Sequence, residues 1–490
     1  MFPVEYCIAI DLGASNSKMA AVYLCGNNVQ LEDVYTFPNT PLYLGTGFYW
    51  DIFDLYKCIL KGLARFGAKY GKPVSIGIDT WGATYGFLDA QGRLAEPVFH
   101  YRDKRTSGAL EQMYGILSKR KIFDLTGCQC ASSYTLVQLY ASVLQKDAIL
   151  STAKHLVLLP DLLAYFLGGE LSTERTIAGT TAMLEPFQRD WSYELLEALS
   201  IPSGFLLPLS NTGMIKGKLK ASVSEETGIG EALIVSALGH DSAAAVAAIP
   251  GFDEDSLYVS MGTNVNMGIY RSFPALEEEF YQGGFKNTCG DNGRMIVYRD
   301  FPGAWILNNL YSEWAKSDAS LSYDDLDLLA SGAGQGVCFD IEDPSIQESG
   351  GSMSCTIACL IEQTGQAVPQ SRDLFVASVM DSIALRVLYY ASRLVKSRNR
   401  EFDSIWLISG ATRYKSLLSR IAGALGRPVY AGFPYASLAG NGVSQFYALG
   451  KLDRDRYRKK ENYQFAEIQP VVSRDWQECM EWAIERKILL

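Results

Sequence analysis

The chain has 490 residues, too many for one hydrophobic core, and roughly two to three domains of about 150 residues each are expected. Its 48% hydrophobic and 20% charged residues are those of a packed globular protein. A net charge of −10 disfavours nucleic acid and anionic membranes as partners, yet leaves room for a local phosphate site built from backbone N–H groups and a cation.

The start, MFPVEYCIAIDLG, carries an early acid and runs into a strand, Cys7–Asp11, rather than reading as a signal peptide. A Gly/Ser/Asn turn follows, then a second strand at Lys18–Leu24. Helical periodicity occupies Ile52–Tyr70. Val74–Asp79 is an apolar strand ending in an acid, Tyr85–Leu88 continues it, and Asp89–Gly92 reads as a hairpin turn. Helices are expected at Gly108–Leu117, Leu136–Leu144, Leu158–Leu167 and Tyr193–Leu199, and a strand at Leu233–Ala237. Near Ala243 the pattern restarts, with strand Leu257–Met261, turn Gly262-Thr263-Asn264 and return strand Val265–Tyr270. A long amphipathic helix, Leu374–Lys396, precedes strand Ser404–Ser409, helix Leu417–Leu425 and strand Pro428–Ala431. A further helix, Gly440–Leu449, opens on Gly-Asn-Gly, and the charged tail turns helical near Trp476–Leu490. No run of about 18 apolar residues stands out, so no membrane span is expected.

Each half thus begins with a strand–turn–strand device whose turn is made of small residues. Two α/β domains with equivalent hairpins facing a central cleft would hold a polyphosphate between two clamps. The expected boundaries are 1–245, 246–455 and a helical tail, 456–490, packing back on the core. The ten cysteines are scattered, none in a Cys-x-x-Cys pair, and only three histidines are present. They read as reduced, structural thiols of a cytoplasmic protein, with Cys128-Gln-Cys130 as the one spacing open to a labile pair.

Five places carry candidate chemistry. Asp11 ends a buried strand before Gly13, Ser15, Asn16 and Lys18; the turn could cradle phosphate, and Asp11 could hold Mg²⁺ through water. Asp79-Thr80-Trp81-Gly82 offers an indole to stack on a sugar and a glycine for close approach. Gly239-His240-Asp241 places a carboxylate at a helix start, where it is either a cap or a base, with His240 able to bond sugar hydroxyls. Gly262-Thr263 and the turns at Ser409-Gly410-Ala411 and Gly440-Asn441-Gly442 complete the set. Each has an ordinary structural reading alone. Their order along the chain is what two facing phosphate-binding domains require.

These motifs, with YRDKRT, LLPDLLAYFLGGEL, TIAGTTAM, ALGHDSAAAVAAIP, YVSMGTNVNMG and ASLAGNGVSQFYALG, resemble the FGGY carbohydrate kinase family over roughly residues 5–450. The nearest branch in pattern is that of the rhamnulokinases. The resemblance implies two actin-like ATPase (ribonuclease H-like) domains, and an ATP- and Mg²⁺-dependent transfer to a ketose such as L-rhamnulose, giving the 1-phosphate. It implies that Asp241 is the proton acceptor, that Gly82 and His240 contact sugar, and that Thr263, Asp300, Asn308 and Gly410 contact the nucleotide. An ionised Asp241 of near-ordinary pKa is expected at pH 7. Departures from the family pattern lie at Ser409–Tyr414, at Asn264 where the pattern has Trp, at Tyr281–Asn287, and at Lys18 where it has Arg. An L-fuculose, pentulose or other deoxy-ketose kinase remains open, as do a sugar-sensing pseudokinase and a partner-binding ATPase. The partners implied are sugar and ATP, in a monomer or homodimer.

Overall fold

The computed structural model describes residues 5–348, 351–453, 457, 465–471 and 474–489. Two mixed sheets organise it. The first comprises β1 (Tyr6–Leu12), β2 (Asn16–Cys25), β3 (Asn28–Pro38), β4 (Ser75–Thr80), β5 (Met214–Lys218) and β6 (Leu233–Ser236), in the order β5-β6-β4-β1-β2-β3. The second comprises β7 (Ser256–Met261), β8 (Asn264–Arg271), β9 (Lys286–Cys289), β10 (Met295–Pro302), β11 (Ser404–Ile408), β12 (Val429–Ala431) and β13 (Ala466–Ile468), in the order β9-β10-β8-β7-β11-β12-β13. Among the helices are α1 (Ile52–Tyr70), α2 (Leu159–Leu167), α3 (Arg175–Ala178), α4 (Asp241–Ala247), α5 (Ala304–Trp314), α6 (Arg372–Arg398), α7 (Lys415–Leu425), α8 (Ala436–Ala448) and α9 (Trp476–Glu485).

The local reasons are ordinary. All of β1, YCIAIDL, is buried, as befits an apolar strand with neighbours on both sides and helices on its faces. α1 starts where Asp51 accepts the N–H of Asp54, and stops at Gly71, whose φ of 78° suits glycine. Its buried residues, Ile52, Leu55, Ile59, Leu63 and Phe66, recur at helical spacing.

The chain divides into two compact units that are not contiguous halves. The first is Met1–Phe252, Tyr270–Val297 and Ala436–Tyr463; the second is Asp253–Ile269, Tyr298–Tyr435 and Gln464–Leu490. Of the expected tail, 456–490, residues 456, 458–464, 472–473 and 490 lie outside the described residues.

Three expectations are revised. Tyr85–Leu88 takes its main partner from His155–Leu158, and the turn at Asp89–Gly92 closes only the single bridge Leu88–Leu94. α6 is long and apolar enough to cross a bilayer, contrary to the sequence reading, but 78% of its apolar stretch is buried inside the protein. Gly440-Asn441-Gly442 lies inside α8 rather than at its start. A Cβ on Gly440 would stand 1.7 Å from the Ala244 carbonyl oxygen, so this glycine exists to let α8 touch α4.

Candidate active site

In the first unit, β6, β4 and β1 lie side by side and parallel, so their C-terminal ends open on one edge. That edge is where ligands bind in open α/β sheets. Asp11 and Asp79 are register partners there, and Thr80 is bridged to His240. The chain leaving β4 is tied on both sides: Thr80 donates its N–H to the Gly239 carbonyl (2.9 Å), and Trp81 to that of Leu12 (3.2 Å).

Asp241 is the first residue of α4, and its neighbour His240 is the N-cap residue. The His240 side chain makes no capping hydrogen bond. The Asp241 carboxylate accepts the N–H of Ser242 (2.6 Å) and its hydroxyl (3.1 Å), and its side chain is 30% exposed. Burial of its surroundings pushes its pKa up to about 6, against the lowering effect of those bonds and of Lys18. The near-ordinary value expected from sequence is corrected upward by that desolvation. His240 Nε2 lies 3.5 Å from Asp241 Oδ1. Burial lowers the imidazole to about 4, so His240 is neutral at pH 7, and its buried Nδ1 has no hydrogen-bond partner among the described residues.

Asp11 is 6% exposed; it accepts Ser437 Oγ (2.6 Å) and lies 3.9 Å from Lys18 Nζ. Asp79 is fully buried, and its Oδ2 accepts Asn441 Nδ2 (2.6 Å). A buried amide chain fixes that donor. Gln445 Nε2 donates to the Ile8 carbonyl (3.0 Å) and to Asn441 Oδ1 (2.7 Å), so the Asn441 amide nitrogen must face Asp79. Burial raises both Asp11 and Asp79, and the Asp11 charge adds to the burial that holds Asp79 well above the ordinary carboxylate range. Ser15 and Asn16, at the tip of the β1–β2 hairpin, are exposed.

Two expected sugar contacts have packing reasons. Trp81 is only 6% exposed, its ring centroid is 4.3 Å from that of Trp50, and its N–H donates to Thr84 Oγ1 (2.8 Å). The indole expected to meet a sugar thus also packs against Trp50. A Cβ on Gly82 would stand 2.7 Å from Thr180 Cβ, so close packing already requires glycine there.

Glu174, Thr176 and Thr180 were not singled out from the sequence, although the Thr-rich TIAGTTAM was noticed. Glu174 is 1% exposed and accepts the N–H groups of Thr176 (2.8 Å), Ile177 (3.1 Å) and Gly239 (3.1 Å). His240 donates its N–H to Thr176 Oγ1 (3.2 Å), and Ala83 to Thr180 Oγ1 (3.0 Å). One short segment around α3 therefore braces the junction that carries Asp241 and the turn after Gly82. Thr176→Val, which keeps shape but loses the hydroxyl, is expected to lower kcat by about 10- to 100-fold, the scale of a small misplacement of reacting groups. Thr176→Ser should restore it, and a loss of thermal stability with unchanged kcat would refute the bracing role.

In the second unit, β7 and β11 are parallel neighbours, with Ser260 opposite Ile408. Their ends lead into Gly262-Thr263 and Ser409-Gly410, and the hydroxyls of Ser260 and Ser409 are 2.8 Å apart. The first N–H groups of α5 are taken by the turn: Ala304 donates to the Gly262 carbonyl (3.1 Å) and Trp305 to that of Thr263 (2.9 Å). Asp300 lies in β10, the strand before this helix, and Asn308 lies within the helix. Space is open where a Cβ on Gly410 would stand, so packing does not demand that glycine.

The family models of the FGGY family of carbohydrate kinases match this chain at residues 6–248 for the N-terminal domain and 257–449 for the C-terminal domain. The chain belongs to the FGGY family of carbohydrate kinases. The FGGY kinase is 30% identical over 443 residues to a rhamnulokinase of Bacteroides thetaiotaomicron, covering 90% of each chain. It is 28% identical over 446 residues to a rhamnulokinase of Oceanobacillus iheyensis, covering 91% of this chain and 94% of the relative. In fold it is similar to a ligand-bound xylulose kinase of Lactobacillus acidophilus (TM-score 0.78, 16% identity, 99% and 96% covered). It is also similar to Plasmodium falciparum glycerol kinase with ADP (TM-score 0.77, 15% identity, 99% and 98% covered). The expected α/β, actin-like two-domain fold is thus the fold of this FGGY kinase, and it is a phosphotransferase acting on carbohydrate.

Proposed function

We propose that this FGGY kinase transfers the γ-phosphoryl group of ATP to the C1 hydroxyl of L-rhamnulose, with Asp241 accepting the hydroxyl proton. The observation that carries the chemistry is Asp241 itself: a recessed carboxylate raised to about 6, beside a neutral imidazole, at the carboxyl ends of parallel strands. The similarity to rhamnulokinases over nine-tenths of the chain supports the choice of sugar.

His240 and the backbone at Gly82 would orient the sugar, with Glu174 and Thr176 holding their junction. Gly13, Ser15, Asn16 and Lys18 would meet phosphate, a role supported by the exposed tip of their hairpin. Gly262, Thr263, Asp300, Asn308 and Gly410 would contact the nucleotide from the second unit, a role supported by the open space over Gly410 and by the family pattern. Asp11 fits one Mg²⁺ position, being an oxygen donor beside a second carboxylate. Among the described residues no group of three His, Cys, Asp or Glu is spaced to hold a metal alone. The ion would come with the nucleotide phosphates and supply charge neutralisation there. The ten free thiols support a reducing, cytoplasmic setting.

The base must be ionised, and its pKa is raised, so activity is full above about 6 and is lost as pH falls through that value. The profile of kcat/KM for sugar should fall about tenfold per pH unit on the acid side. A flat profile down to pH 5 would remove Asp241 from the role. The sugar is tested by coupled ADP release over a panel of ketoses, with L-rhamnulose expected to show the highest kcat/KM. Faster turnover of L-fuculose or a pentulose would reassign the substrate.

A further inference from the structure

All ten cysteines are free thiols, and one pair in the second unit is in sulfur contact: Cys338 Sγ and Cys479 Sγ lie 3.7 Å apart. Cys338 is buried, and Cys479, near the start of α9, is partly exposed. Between them stands Arg474, with Nη1 at 3.3 Å from Cys338 Sγ and 3.8 Å from Cys479 Sγ. This cation cannot swing away. Its Nη2 donates to Asp381 (2.7 Å) and to the Gly336 carbonyl (2.6 Å), and its Cζ lies 4.9 Å from the centroid of the Trp476 ring. Asp381 is itself fully buried in α6 and also accepts from Arg420 and from the Gly336 N–H.

We propose that Cys338 and Cys479 form a redox modification site that takes a peroxide and closes to an intramolecular disulfide, pinning α9 to the Cys338 segment. The pair has a division of labour. The hydrogen bond between the two sulfurs lowers Cys479, and the Arg474 charge adds to it, bringing Cys479 to about 7, while the same bond and burial raise Cys338. Cys479 is thus the more accessible thiolate and Cys338 the buried thiol that resolves it.

The Cys479 thiolate attacks one peroxide oxygen, the O–O bond breaks, and the departing alkoxide or hydroxide takes up a proton, leaving Cys479 as sulfenic acid. The Cys338 sulfur then attacks the Cys479 sulfur, the S–O bond breaks, and the Cys338 proton leaves with hydroxide as water. Two sulfurs have lost two electrons in all, and the peroxide has gained them. Closure requires the sulfurs to approach by about 1.7 Å, from 3.7 Å to the length of a disulfide bond. A dithiol reductant reverses the step by exchange. Cys128 and Cys130, whose spacing is the more suggestive in sequence, differ. Burial raises Cys128 to about 11 and Cys130 further, so neither offers a thiolate.

The test is peptide mapping of the full-length protein, reduced, treated with a modest excess of hydrogen peroxide at neutral pH, and alkylated with iodoacetamide. A cross-link joining the Cys338 and Cys479 peptides is expected, reversed by dithiothreitol, and formed about 10-fold faster than oxidation of the exposed Cys25. Cys338→Ser should stop at a Cys479 sulfenic acid that dimedone traps, and Cys479→Ser should give no cross-link. Arg474→Gln should slow the reaction at least about 5-fold, with Arg474→Lys restoring part of the rate. The proposal is overturned if wild-type Cys479 passes to sulfinic acid with Cys338 unmodified. It is equally overturned if both stay reduced while Cys25 and Cys355 oxidise.

Discussion

Asp241→Asn is expected to lower kcat by about 10² to 10⁴, the range in which a general base contributes, while sugar binding is largely kept. The amide keeps the size of the side chain, and its oxygen can still accept the Ser242 N–H that the carboxylate accepts at 2.6 Å. What it loses is the capacity to take a proton at pH 7. The neutral His240 cannot substitute, because burial has already pulled its pKa down to about 4. Steady-state kinetics with isothermal titration of the sugar checks this. Full activity in the variant would show that the hydroxyl needs no carboxylate, and a lost sugar affinity with intact kcat would make Asp241 a binding group only.

Gly440→Ala is the second large effect. The added methyl would stand 1.7 Å from the Ala244 carbonyl oxygen, 2.6 Å from its carbon and 3.1 Å from the Ala248 nitrogen. All three are backbone atoms, so no rotamer change relieves the clash and α8 must move off α4. A destabilisation of ~3 kcal/mol, the upper part of the overpacking range, is expected in denaturant unfolding. Because α4 carries Asp241 and α8 carries Ser437 and Asn441, turnover should fall as well. Gly410→Ala is the control, since open space surrounds it; it should leave stability unchanged. Equal stabilities for the two variants would mean that the helices do not meet as described.

The sequence makes the strands legible because their signal is local. The run CIAID, a turn of small residues and KMAAVYL give β1 and β2 within a residue or two, and LYVSM before Gly262-Thr263 does the same for β7. What is not local is misread. Glycine inside a helix normally disfavours it, so Gly440-Asn441-Gly442 reads as a turn; only the approach of Ala244, almost two hundred positions earlier in the chain, explains it. Trp81 follows β4 directly and precedes a glycine, and its sequence cannot tell that Trp50 covers one face. Glu174 sits in a two-residue strand end before a short helix, and its partner Gly239 is 65 positions away. The carboxylates Asp11 and Asp241 were legible as strand-end and helix-start acids. Their elevated pKa values were not, because desolvation depends on the whole fold.

The most direct measurement is ³¹P NMR of the protein with ATP, Mg²⁺ and L-rhamnulose. The account predicts a new phosphomonoester resonance coupled to the C1 protons of the sugar, growing in equal measure with ADP. Only inorganic phosphate and ADP, or no turnover despite measurable sugar binding, would contradict it.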